Sequence, residues 1–412
     1  MQPTFPGAAC CTGDEVRTGV ASSSTFDFFR RFLRHAARRV IYRIGALSLY
    51  HRLRNRQVLT VAVFHRVLKR DDPRWETALT QWTLPDDVFD ECLAFFRCHY
   101  ALVTLDDVKA SLEGVRRLPP RSLLITFDDG FADNSDYALP LLRKHGASAT
   151  VFISSDVIGR NERLWTEDLL WAFKAGRLHQ RDVASLYALL LDGPEYDVED
   201  PGLIWEIVWR GPQLEKAKVE AALSALKIDL RRVAHPRQML TRSEIANLAG
   251  NGISIGAHGK THTALPLSSD ITAELCSPRV VLDDILASHH QCSVDALSFP
   301  HGAYTSEVVD RALAAGYAFA FTGEAELCVL KNGFLTSPLI GRIDVDGHRI
   351  APTGRLRPDA LAIDFFTATR GRAERASSNL SGDQDQPRIR PKGGALRAMT
   401  GPELSSPLRK EG

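Results

Sequence analysis

Several things are missing from this chain, and each absence excludes a class of protein. None of its 412 residues belongs to an uninterrupted apolar run of 18, so an ordinary transmembrane helix is excluded. Charge of one sign is not in excess: 51 Lys and Arg stand against 50 Asp and Glu, a net charge of +1, which argues against a protein that coats nucleic acid generally. The seven cysteines show neither the paired spacing of a disulfide framework nor a Cys-x-x-Cys that would hold zinc, so a reducing compartment is the default. Cys10-Cys11 follow no charged start and no apolar stretch, which speaks against a lipid anchor. With no secretory signal, a cytoplasmic location is expected, peripheral to the inner membrane face if the basic segment described below binds lipid.

What is present suits a globular α/β protein. At 44% hydrophobic and 25% charged, the chain can bury a substantial core, as one large domain with extensions or as two domains. Residues 1–24 are rich in Ser, Thr, Gly and Ala without a sustained period and are expected to be disordered, as is the tail over 370–412. Residues 25–56 form a basic helical extension: from Phe28 to Arg56 there are many arginines and no acidic residue. Phe29, Phe32, Leu33, Ala36, Val40, Ile41 and Ile44 recur at helical spacing. Such a helix lies on an anionic membrane or packs on the domain with its arginines in water, and packing is the preferred reading.

The main domain is expected over 57–350. Val58–Phe64 reads as a strand, with His65 at its end. Residues 84–100 read as a helix and Arg121–Gly130 as a buried strand that stops at Asp128-Asp129-Gly130. A helix over 134–145 ended by Gly146 and a strand over 149–153 complete a parallel βαβ unit. Residues 161–237 break the rhythm with helical patterns and are expected to be an insertion that walls or covers the site. Thr241 and Glu244 cap the next helix, and further strands are expected to end at His258, Phe299 and Phe321, with a last strand over Leu339–Val345.

Residues that follow a parallel strand lie where α/β active sites are built. Asp128 and Asp129 there either start a turn or do chemistry. His258-Gly-Lys-Thr-His262 places two imidazoles four apart after another strand, a spacing used for two ligands of one ion. A carboxylate from a second loop, Asp129, would complete a His, His, Asp set with open positions for water or substrate.

Thr126-Phe-Asp-Asp-Gly130 together with His258-x-x-x-His262 resembles the NodB-type polysaccharide deacetylases over about Val58 to Val345. The resemblance implies a distorted (β/α) barrel, here with a helical insertion. It also implies a divalent metal, Zn²⁺ foremost with Co²⁺ or Ni²⁺ as alternatives, and an N-acetylated glycan as substrate. Asp128 would be the general base; Asp129, His258 and His262 would bind the metal. The family's third motif often reads Arg-x-Pro-x-Gly, but this chain has Ser298-Phe-Pro-His-Gly302, so Arg342 is the candidate for the missing charge. The backbone N–H of His301 would be the oxyanion donor. No Leu-x-x-His motif supplies a general acid; His301 and His348 are the candidates. His65 and Pro300 are expected to line the substrate groove, and Tyr304 either to line it or to pack, with Trp165, Trp171, Trp205 and Trp209 as further aromatics that either stack on sugar or pack as core. Removal of acetyl from N-acetylated sugars is the leading reading. A silent glycan-binding scaffold and an O-acetyl esterase are the alternatives.

Overall fold

The computed structural model describes residues 36–371 except 77, 160–164, 192–202, 212–213, 215, 231–236 and 288–292. Residues 1–24 and 372–412 of the segments expected to be disordered lie outside the described residues, as does the start of the basic extension; Arg370, where the expected tail begins, instead belongs to a strand.

Thirteen strands occur among them: β1 Val58–Phe64, β2 Arg66–Leu68, β3 Thr83–Pro85, β4 Ala101–Leu102, β5 Ser122–Phe127, β6 Thr150–Ile153, β7 Ser254–Ala257, β8 Ala296–Ser298, β9 Phe319–Phe321, β10 Glu326–Val329, β11 Leu339–Ile340, β12 Ile343–Asp344 and β13 Thr369–Arg370. β2 and β3 form a separate parallel pair. The parallel neighbours β1, β5, β6, β7, β8 and β9 follow one another in the main sheet. β11 then pairs with β9, while β12, two residues further on, pairs with β1 in the register Ala62 to Ile343. One extended passage therefore bridges the two ends of the row and curls the sheet into a distorted barrel.

This corrects the expectation of one continuous last strand over 339–345. Its first half belongs to β9 and its second to β1, and Gly341-Arg342 lies at the changeover. Added bulk at Gly341 would come within 2.9 Å of the Glu324 carbonyl, so the passage needs glycine there.

Continuous apolar runs read as strands buried on both faces, and β1 and β5 are buried at every residue. Alternation divides them between two cores. Leu59, Val61, Leu124, Phe152, Ala296, Phe319, Phe321 and Ile340 pack together inside the barrel. Ala62, Phe64, Ile125, Phe127, Val151 and Leu297 face the surrounding helices. Helix Asp86–His99 lays Phe89, Cys92, Leu93 and Phe96 on that outer surface. The ring of Phe64 lies 5.1 Å from Phe89 edge-on and 5.5 Å from Phe127, a geometry favourable beyond area burial alone.

Helix Arg242–Gly250 begins with the reciprocal cap expected of Thr241 and Glu244. The insertion holds helices Trp165–Lys174, Gln180–Leu191, Leu203–Arg210 and Lys216–Ala225 around a core of their own that includes Leu169, Leu186, Leu190, Ile204 and Ile207. The packed domain continues beyond the expected boundary at 350. Helix Pro358–Phe366 buries Leu361, Ala362, Phe365 and Phe366, and β13 pairs with β10. A short apolar helix that returns to the outside of the barrel leaves no periodic signal long enough to separate it from a tail.

Phe89→Ala is expected to lower the unfolding free energy by about 3–5 kcal/mol, measured by urea denaturation; a loss below about 1 kcal/mol would contradict the aromatic cluster as core.

Candidate active site

The strand ends deliver the site. After Phe127, the Asp128 backbone N–H still donates to the Phe64 carbonyl at 3.0 Å, extending the sheet by one residue. Asp129 and Gly130 then take left-handed backbone angles, φ 76° and 83°. That sharp turn lets two adjacent aspartates serve one cavity instead of opposite faces. The turn is stitched down by its neighbours: Leu240 N–H donates to the Gly130 carbonyl and Ala132 N–H to that of Gln238.

Asp128 is buried, and both its oxygens accept from Arg342, Nη1 to Oδ1 and Nη2 to Oδ2, each at 2.7 Å. Arg342 Nη2 also donates to Ser298 Oγ at 2.8 Å, and that hydroxyl donates to Asp128 Oδ2 at 3.2 Å. Burial alone would raise the Asp128 carboxyl, but the Arg342 charge, followed by His258, holds it below its ordinary value. The guanidinium stays in place by donating through Nε to the Thr322 carbonyl at 3.1 Å, and it sits over the rings of Phe152 and Phe321. Arg342, the candidate for the missing charge, therefore lies against Asp128. Ser298, which cannot supply the charge, completes the triangle; its role was invisible because a serine in the last position of a buried strand carries no signal of its own.

Asp129 Oδ1 lies 3.0 Å from His262 Nε2 and 3.3 Å from His258 Nε2. The three ligand atoms fall within 4.8 Å of one another, the only such group of three His, Cys, Asp or Glu among the described residues. His258 Nδ1 donates to the Ser298 carbonyl at 2.9 Å, which turns its Nε2 toward Asp129. Burial would lower the His258 imidazole, yet Asp128 and Asp129 raise it above its ordinary value. Burial would likewise raise Asp129, and His262 with His258 holds it well below the carboxylate range. The pocket thus asks for positive charge between one carboxylate and two imidazoles, and two nitrogens with one oxygen are a donor set that fits a zinc-like divalent ion.

The loop that carries both histidines is held by a residue sequence reasoning missed. Buried Glu274, on helix Ile271–Leu286, accepts from Lys260 N–H at 2.7 Å, Thr261 N–H at 3.0 Å and Thr261 Oγ1 at 2.7 Å. Ser154 Oγ donates to the His258 carbonyl at 2.8 Å. A glutamate on a helix face reads as solvated surface, so only the fold could reveal it.

A cavity of about 100 Å³ opens over these groups, several times the ~10–15 Å³ that one water occupies on that measure. Asp128, Asp129, His258, His262, His301, Arg342 and His65 line it on one side; Leu79, Trp82, Phe131 and Val208 give it an apolar wall. Val208 comes from the insertion, which thus contributes to the cavity wall. His65 leans on Trp82, ring centroids 5.5 Å apart, and its carbonyl accepts from Asn134 Nδ2 at 3.0 Å.

Other expectations need correction. Tyr304 is buried away from the cavity, its ring stacked on Phe299 at 5.3 Å and its hydroxyl donating to Glu324 at 3.0 Å. Pro300 is buried beside Gly259 and is not among the lining residues. His301 does line the cavity, but its Nε2 donates to the His262 carbonyl at 2.9 Å. Burial, then His262, pushes its imidazole well below the usual histidine range. His348 bonds Thr80 Oγ1 at 2.7 Å outside the cavity. Trp165 and Trp205 pack against the insertion core, and Trp171 carries Arg177 over its ring; the Trp209 side chain lies outside the described residues. The aromatics in the cavity wall are Phe131 and Trp82, the latter preceding a three-residue strand too short to be read.

Residues 116–320 match the family model for polysaccharide deacetylase. A candidate polysaccharide deacetylase of Bacillus subtilis, YxkH, is 34% identical over 70 residues, which are 17% of this chain and only 25% of that protein. Among solved structures, the Streptococcus pyogenes deacetylase PplD in complex with acetate aligns with a TM-score of 0.47 at 16% identity, covering 75% of this chain and 98% of that one. IcaB from Ammonifex degensii aligns with a TM-score of 0.44 at 15% identity, covering 70% and 92%.

Gly130 marks how little slack the turn has: a Cβ there would stand 2.9 Å from Ile153 Cγ2 at a φ that side chains rarely adopt. Gly130→Ala is expected to cost about 1–3 kcal/mol, read as a lower melting temperature; an unchanged melting temperature would contradict the constraint on the turn. The matched span carries the Asp-Asp-Gly turn, both histidines and Ser298, and makes this chain a member of the polysaccharide deacetylase family.

Proposed function

We propose that the protein is a divalent-metal-dependent hydrolase that removes acetyl groups from the N-acetylated sugars of a poly- or oligosaccharide. The observation that carries this reading is the buried Asp129, His258 and His262 cluster beside an Asp128 whose carboxylate is fixed by Arg342 at the same cavity. A divalent ion held by those three residues, Zn²⁺ foremost, would acidify water to a pKa of about 7 and polarise the acetyl carbonyl.

The chain's own groups supply the rest. Asp128 accepts the proton from the attacking water as oxygen bonds to the carbonyl carbon. Its ionised state is secured by Arg342; Oδ2 also accepts from Ser298, and Oδ1 keeps a lone pair beyond its bond to the guanidinium. The backbone N–H of His301, which has a left-handed φ of 58° at the cavity edge, is our candidate donor to the oxyanion.

Amide cleavage also needs a proton on the departing nitrogen, since an amide anion is a very poor leaving group. We assign that step to His65. It lines the cavity and lies close enough to both aspartates to depress their carboxyls further. His301 is committed through Nε2 to the His262 carbonyl. The apolar wall of Trp82, Leu79, Phe131 and Val208 suits the acetyl methyl and a sugar face. The ion-paired base favours turnover over the silent scaffold reading.

Chelation should abolish acetate release from N-acetylated oligosaccharides, and Zn²⁺ or Co²⁺ should restore it; activity indifferent to metal stripping would sink the proposal. Asp128→Asn should retain the metal and lose at least about 1000-fold in kcat, whereas His258→Ala should lose both. His65→Ala should slow amide hydrolysis by about 100-fold or more yet barely affect an aryl acetate, whose leaving group needs no proton. Equal loss on both substrates would remove His65 as the acid.

A further inference from the structure

Residues 36–56 present a surface that the barrel does not use. Residues 36–43 are helical, Gly45 turns the chain with a φ of 76°, and helix Ala46–Arg54 follows. The inward face of that helix is not its apolar one. Leu47, His51 and Asn55, four apart, are the buried residues. His51 stacks on Phe366 at 4.1 Å and donates through Nε2 to the His99 carbonyl at 3.3 Å. Asn55 and Arg54 donate to the Phe366 carbonyl at 3.0 and 3.2 Å, and Arg54 also to that of Ala368 at 2.9 Å. The segment is thus fixed to the body largely through polar and aromatic contacts.

The large aliphatic side chains point the other way. Val40 is 56% exposed, Ile44 71%, Leu49 57% and Leu53 75%, with Ile41 and Tyr50 at 45%. Six of the ten exposed large hydrophobic residues among those described fall between positions 40 and 53, so they form a patch and are not the usual scatter. The same stretch, 36–56, contains six arginines and no Asp or Glu, and Arg38, Arg39, Arg43, Arg52 and Arg56 are exposed.

We propose that this face seats the protein on an anionic lipid surface, by the edge of the barrel opposite the active site. Guanidinium groups in a stretch without Asp or Glu suit anionic headgroups, although Arg38 also feels the carboxylate of Asp364, and aliphatic side chains set among them reach the acyl boundary. A second copy of the chain fits poorly, because it would bring the same arginines face to face. No described helix is long and apolar enough to cross a membrane, so the segment lies on the surface. Helix Ala46–Arg54 feeds the first residue of β1, and its neighbour His99 precedes β4, so both contacts lie where strands begin. Asp128, His258 and Ser298 lie where strands end. Docking by the rear edge leaves the cavity mouth turned away from lipid, toward glycan in water.

The test is flotation of the full-length protein with phosphatidylcholine vesicles, with and without phosphatidylglycerol. Binding is expected only to the anionic vesicles and should weaken with added salt. Neutralising Arg39, Arg43 and Arg52 to Gln should weaken partition by about 100-fold, a factor of roughly five for each charge. Leu49→Ser with Leu53→Ser should also abolish flotation, and the exposed Val280→Ser elsewhere should leave it unchanged. All of these side chains are exposed, so an unaltered melting temperature confirms folding in each variant. Equal binding to neutral vesicles, no binding, or binding indifferent to the arginine changes would overturn the proposal. So would a dimer in light scattering that Leu53→Ser dissociates, which would assign the face to a second copy.

Discussion

The pairing of Arg342 with Asp128 is where the fold and the chemistry meet. The barrel is closed by a passage that pairs with β9 and then with β1, and Arg342 stands at the changeover, between the two pairings. Its guanidinium turns inward over Phe152 and Phe321, at the end of the interior core, and grips both oxygens of a buried aspartate. Taking two charges out of water is expensive, and the attraction offsets that only if the geometry is good and the remaining polar atoms are satisfied. Here the Thr322 carbonyl and the Ser298 hydroxyl provide that satisfaction. Removing either charge would leave the other buried alone, so barrel closure and the ionised state of the candidate base depend on each other.

The metal-ligand side follows the same logic with other partners. His258 is aimed by the Ser298 carbonyl, the loop to His262 hangs from Glu274, and the His262 carbonyl is met by His301. Ser298 serves both halves: its hydroxyl joins the Asp128 and Arg342 pair, and its carbonyl fixes His258. Ligands whose rotamers are locked by neighbours lose little on binding an ion, and a base held within tenths of an ångström spares reorganisation during reaction.

Most of the barrel was legible because parallel strands buried on both faces read as near-continuous apolar runs: β1 is apolar but for Thr60 and β5 but for Ser122 and Thr126, and both are buried throughout. The sites at their ends were legible for the same reason: Asp128, Asp129, His258 and His262 interrupt the pattern where apolar residues stop. Residues whose meaning depends on tertiary partners were not. Tyr304 looked like a groove residue because it follows a loop, yet it packs on Phe299. Glu274 stands in a helix with nothing local to set it apart, yet it holds the histidine loop. The basic segment showed a helical period, but periodicity does not say which face a helix buries, and here His51 and Asn55 go inward while Leu49 and Leu53 stay out. The last strand read as one because its division between two partners leaves no local mark.

In this chain the charge paired with Asp128 comes from the closing passage, and Ser298, at a strand end, offers a small hydroxyl that both partners share. The most direct test is the rate of acetate release by Arg342→Ser, measured on folded protein carrying one metal ion per chain. The account predicts normal metal content with kcat lowered by at least about 100-fold, the scale of loss when a reacting group is misplaced by about an ångström. Activity within a factor of two of the unmodified protein would contradict it.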